Sequence, residues 1–184
     1  MSPVERNPGE RNPGERNPAV LALRAAMEAR DASAVLDTFA PDAVFRSPLT
    51  MRLVFAGRSE IGVLVEVLLD VLEDFHYTDE VSSGMTGFLA WSARIGGQPI
   101  EGTDLLRVGP EGKITEFTVF FRPLPATARA LHVLGTRLVR RKSPAMARVV
   151  SGLTWPLAAL TRAGDPIGAR LIRSALSGGA SSPR

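Results

Sequence analysis

Asp104 is the residue best placed to do chemistry. It stands in Gly102-Thr103-Asp104-Leu105-Leu106-Arg107-Val108, where strand alternation puts Gly102, Asp104 and Leu106 on one face and Glu101, Thr103, Leu105 and Arg107 on the other. A carboxyl on the apolar side of a sheet loses hydration, which raises its pKa and favours the neutral form. A neutral carboxyl can donate a hydrogen bond, or hand a proton to a bound molecule and recover it. The plainer expectation is a bond to neighbouring strands or an ion pair with Arg46 or Arg94. Phe45, Ser47, Phe55, Leu89, Trp91, Leu106, Phe117, Val119 and Phe121 are the candidate ligand-binding wall, and they equally suit plain core. Trp91 stands out because a buried indole N–H needs a partner. Ser47 either orients a ligand or ends a strand before Pro48.

Other chemistries are poorly supplied. The chain has no cysteine, which excludes disulfide scaffolds, thiolate zinc sites and cysteine nucleophiles. Its two histidines leave little for a metal cluster. His76, beside Tyr77 at a strand edge, reads as exposed, and His132 reads as a surface residue among arginines. Walker-type glycine loops, dinucleotide fingerprints, zinc spacings and nucleophile elbows are missing. No cofactor and no metal are therefore expected, and carboxylate chemistry is what remains.

The elements that must position Asp104 follow from periodicity and turn signals. Glu-Arg-Asn-Pro occurs three times from Glu5 to Pro18, with too little apolar content to fold, so residues 1–16 read as a disordered spacer. Asn17 caps and Pro18 begins a helix carrying Val20, Leu23 and Met27. A short helix starts at Asp31 or Ser33 and stops before Pro41, and Ala43 to Ser47 is a short strand. Gly57 opens the strongest helix, striped with Ile61, Leu64, Val65, Leu68 and Leu72, opposite Glu66, Asp70, Glu73 and Asp74. Phe75–Val81, Thr86–Ile95, Pro99–Val108 and Lys113–Arg122 then read as strands, with glycine-rich turns between the last three. This is an α+β plan, with N-terminal helices packed on one face of a curved antiparallel sheet.

Composition changes at Pro123-Leu124-Pro125. Residues 1–125 hold 12 Lys/Arg and 18 Asp/Glu (net −6), whereas residues 126–184 hold 10 and 1 (net +9). Helices near 126–142, 144–162 and 166–177 are expected there, with Pro156 kinking or restarting the second. The map is thus a disordered repeat (1–16), a folded α+β domain (17–125), a basic helical extension (126–178) and a disordered tail (179–184). The extension has three readings. It docks on its own domain or dimer partner, burying its stripe of Met146, Val149, Val150, Leu153, Leu157 and Leu160. Or Arg129, Arg137, Arg140, Arg141, Lys142 and Arg148 meet an anionic membrane surface. Nucleic acid ranks last, because stacking aromatics are missing apart from Trp155. No secretory signal or run of 18 apolar residues occurs, so the reading is cytoplasmic, peripheral at a membrane where the extension binds one.

The element order, with Ala29-Arg30-Asp31 between the first helices and Phe39-Ala40-Pro41-Asp42-Ala43-Val44 entering the sheet, resembles the nuclear transport factor 2-like superfamily. That group includes the SnoaL-like polyketide cyclases, ketosteroid isomerase and limonene-epoxide hydrolase. The resemblance covers about 17–123 and is carried further by Gly102–Val108 followed by Gly112-Lys113-Ile114-Thr115-Glu116-Phe117. It implies a cone over an apolar cavity that takes a hydrophobic small molecule, often in a homodimer. The isomerase's general-base Asp-Pro pair reads Ser47-Pro48 here, and its oxyanion-hole tyrosine falls near Leu23. Only its second acid has a counterpart, at Asp104. The epoxide hydrolase's Arg-x-Asp keeps Asp104 but has Gly102 for the arginine, and its second aspartate falls near Val119. Both catalytic sets are incomplete. The resemblance therefore implies a binding pocket with isomerase-, cyclase- or hydrolase-like acid–base activity through Asp104. The alternative is a non-enzymatic dimeric scaffold whose basic tail binds a membrane or protein partner.

Overall fold

The computed structural model describes residues 16–178. The spacer expected over 1–16, but for Arg16, and the tail expected over 179–184 lie outside the described residues. The chain divides into two compact units between Arg122 and Pro123.

The first unit begins with helix α1 (Pro18–Glu28), where the Asn17 side chain accepts the Ala19 N–H as the sequence predicts. Arg30 leaves α1 in the left-handed conformation (φ 57°). Its guanidinium donates to the carbonyls of Leu69 and Leu72. Asp31 caps α2 (Ala32–Asp37) by accepting the Ala34 N–H. Helix α3 (Gly57–Val71) buries Ile61, Leu64 and Val65, and it runs without a loop into the sheet.

The sheet comprises β1 (Phe39–Arg46), β2 (Val54–Ala56), β3 (Leu72–Ser83), β4 (Thr86–Ile95), β5 (Gln98–Val108) and β6 (Ile114–Arg122), in the order β2-β1-β6-β5-β4-β3. It is curved and unclosed. One pairing corrects the antiparallel expectation: β1 runs parallel to β6, with Phe45 opposite Phe117. The β3–β6 meander returns the chain alongside β1 in β1's own direction. Turn signals mark hairpins only, so a pairing across some seventy residues leaves no local trace. Strand β2 had no signal either, being three residues long. The helices close on one face of the sheet, where Val20, Leu23, Ile61, Leu89, Ile100, Leu106 and Ile114 are almost wholly buried. Gly87 makes that closure tight: a Cβ there would stand 2.6 Å from a Val20 methyl.

The second unit holds two helices rather than the three expected. α4 (Leu124–Arg140) is followed by α5 (Pro144–Gly178), which runs unbroken through Pro156 and Pro166. Both prolines are exposed, so water can take over the carbonyls they leave unpaired. Small side chains seat the helices on each other. Ala147 and Ala158 are buried, Gly135 faces Val150, and His132 Nδ1 lies 2.9 Å from Thr154 Oγ1. His132 is thus half-buried rather than a surface residue. Burial and then Arg129 lower its pKa. Of the stripe expected to dock, Val150 packs against α4 at Gly135, whereas Met146, Val149, Leu153, Leu157 and Leu160 are exposed.

Candidate functional site

Three strands converge on Asp104. Tyr77 on β3 stands opposite Trp91 on β4, which stands opposite Gly102 on β5. A Cβ at Gly102 would fall 2.8 Å from the Phe120 carbonyl oxygen and closer still to the Trp91 ring. Glycine is therefore what lets the indole lie over β5. From there Trp91 Nε1 donates to Asp104 Oδ1 at 2.9 Å, and Tyr77 Oη donates to Oδ2 at 3.3 Å. Leu89 and Val119 flank Asp104 on the adjoining strands. Phe75 completes the surroundings, with its ring 5.0 Å from that of Tyr77 and 5.6 Å from that of Trp91.

The carboxyl is 4% exposed. It is not paired with either arginine considered for it. Arg46 lies 3.3 Å from Glu116, and Arg94 donates to the Gly97 carbonyl at 2.6 Å. With no cation to compensate, burial pushes the Asp104 pKa up to about 7, against the pull of the Trp91 and Tyr77 hydrogen bonds. Burial and then the Asp104 charge raise the Tyr77 phenol well above its ordinary value. At neutral pH Asp104 therefore exchanges between an acceptor-only carboxylate and a carboxylic acid with one proton to donate.

Two clefts flank this cluster. One, of about 450 Å³, is lined by Ser47, Thr50, Leu53, Val119 and Phe121 among others. The second, of about 540 Å³, is lined by Thr78, Asp79, Trp91, Gly102 and Phe121 among others. Asp104 lines neither; its neighbour Val119 walls the first, and its partner Trp91 walls the second. Phe121 lines both, its ring packed edge-on against Trp91 at 5.4 Å.

The structure divides the expected wall. Ser47, Val119, Trp91 and Phe121 border clefts. Leu89 and Leu106 are fully buried and border neither cleft. Phe45 stacks on Phe117 at 5.2 Å and meets Phe55 edge-on at 5.9 Å, forming an aromatic block of core. The Ser47 hydroxyl accepts the Leu49 N–H at 3.2 Å and so also serves its own turn. His76 is exposed, as expected. Tyr77 and Phe75 are the partners the sequence reading missed. Tyr77 is the chain's sole tyrosine, two residues from Phe75 on an alternating segment, and that pattern was the available signal. Among the described residues, no group of three His, Asp or Glu side chains could hold a metal ion.

Residues 20–117 match the family model of the SnoaL-like domain, and the chain belongs to that family. The fold is shared with a steroid delta-isomerase from Pseudomonas aeruginosa, 32% identical over 71% of this chain and 98% of that one, with a TM-score of 0.63. A Silicibacter pomeroyi protein with a cystatin-like fold is 20% identical, covering 67% of this chain and 87% of that one (TM-score 0.64). A nuclear transport factor 2-like protein from Mesorhizobium loti is 17% identical, covering 61% and 98% (TM-score 0.53). No curated protein matches the sequence.

Proposed function

We propose that the first unit binds a small, largely apolar molecule bearing a carbonyl or hydroxyl oxygen, and that Asp104 serves that oxygen as a proton-bearing acid without a cofactor. The observation that carries this reading is a buried carboxyl held by two neutral donors and pushed towards neutrality by burial, one strand away from a cleft of ligand size. A neutral aspartic acid donating to an oxyanion is the role played in ketosteroid isomerase. The steroid isomerase similarity supports the same chemistry here. By the family resemblance Ser47-Pro48 takes the place of the isomerases' Asp-Pro pair, so the reading is restricted to chemistry that one acid can perform. Phe121, which lines both clefts and packs on Trp91, is the side chain this reading assigns to ligand entry towards Asp104. A homodimer and a cytoplasmic location belong to the same reading. Phe88 and Phe120, exposed on strands β4 and β6, support the homodimer.

The test is a titration with 2-decalone, an apolar bicyclic ketone, and with decalin, which lacks the oxygen. Decalone should bind more tightly than decalin below pH 7, and the preference should fade as pH rises through about 7. In Asp104→Asn, which keeps a donor at every pH, the preference should persist. A wild-type preference that is absent, or indifferent to pH, would overturn the assignment.

A further inference from the structure

Helix α5 leaves an apolar face uncovered. Its 35 residues span about 52 Å at 1.5 Å per residue, twice the length of the 17-residue α4. At 100° per residue, Met146, Val149, Leu153, Leu157, Leu160, Ile167 and Leu171 fall within about 80° of arc. All seven are between 46% and 74% exposed. The helix meets α4 through a different side, that of Ala147, Val150 and Ala158. The stripe is therefore left over once the helix pair has packed. Arg148, Arg162, Arg170 and Arg173 occupy the opposite arc, and Asp165 is the helix's one acid. No helix among the described residues is long and apolar enough to cross a membrane.

From this geometry we infer that α5 docks lengthwise on an anionic lipid surface, its stripe sunk into the headgroup boundary. This goes beyond the small-molecule reading of the first unit and does not depend on it. Charge chooses the occupant. Residues 126–184 hold ten cations and one acid, so two copies of this region repel each other. An anionic leaflet attracts the same charge and supplies the apolar layer that the stripe needs. The helix is about 10 Å across, close to the Debye length in physiological salt, so arginines on its outer side still feel the surface.

The test is flotation of the full-length protein with phosphatidylcholine vesicles, with and without a minority of phosphatidylglycerol. Flotation should require phosphatidylglycerol and weaken in high salt. Leu153→Ser combined with Leu160→Ser should lower partitioning at least about tenfold. Both positions are exposed, so the variant should keep the wild-type circular dichroism and Tm; a variant that unfolds is replaced by Arg162→Glu with Arg173→Glu, which should lose flotation similarly. Equal flotation with neutral vesicles, no flotation at all, or anionic binding indifferent to the leucines would overturn the proposal. So would self-association through the stripe that persists in the presence of anionic vesicles.

Discussion

Replacing Asp104 with asparagine should remove a pH dependence of stability whose size follows from the site. In the unfolded chain this carboxyl titrates near 3.8, and in the fold near 7. Because the folded value is the higher one, the native state holds the proton more tightly. The stability linked to it is complete below about pH 4, is lost as pH rises towards 7, and changes little above. A shift of about three units corresponds to about 4 kcal/mol, of which roughly 3 kcal/mol falls between pH 5 and pH 8. Asparagine fits the same partners: its oxygen accepts from Trp91 Nε1, and its amide donates to Tyr77 Oη. Urea unfolding of both proteins at pH 5 and pH 8 is the assay, because the difference between them cancels every other titrating group. The variant should gain roughly 3 kcal/mol on the wild type between those pH values. A difference independent of pH would refute burial as the dominant influence on Asp104. A difference of opposite sign would mean that the hydrogen bonds win and hold the carboxylate ionised.

Other perturbations probe the same cluster. Trp91→Phe deletes a bond that favours the charged form, so the Asp104 midpoint, read by carboxyl ¹³C shifts, should move above 7, with a stability loss of about 1–3 kcal/mol that is larger at pH 8 than at pH 5. Gly102→Ala should cost about 1–3 kcal/mol and change Trp91 fluorescence, because the new methyl needs space the indole holds. Leu106→Ala, in the plain core, should cost about 2–5 kcal/mol in urea unfolding without moving the Asp104 midpoint. Phe121→Ala should wet the cluster and lower that midpoint towards the ordinary aspartate range.

The sequence made much of the fold legible because its strongest signals are local. Asn17-Pro18 starts α1, Asp31 caps α2, and the stripe from Ile61 sets α3. Gly96-Gly97 and Gly109–Gly112 delimit the last hairpins, where positive φ at Gly96, Gly97 and Gly112 is what the turns require. Asp104 was legible as an inward acid by alternation, and Trp91 as a residue seeking a partner. Their meeting was not, because it depends on cross-strand register and on an absent Cβ at Gly102. Tyr77 sits on a segment legible as a strand, but its partnership with Asp104 depends on the pairing of β3 with β4, whose register shifts on either side of it. The parallel β1–β6 pair is a long-range choice of the same kind. For α5 the stripe itself was evident, but which side would face α4 was decided by packing. Alanine and glycine allow close approach, and the leucines stay outside.

Native mass spectrometry of the purified full-length protein tests the central claim most directly. The reading predicts a retained apolar molecule of a few hundred daltons, released on denaturation and lost when Val119→Trp fills the cleft beside Asp104. Wild-type protein that carries no such mass, from a preparation that also fails to bind decalone, would contradict it.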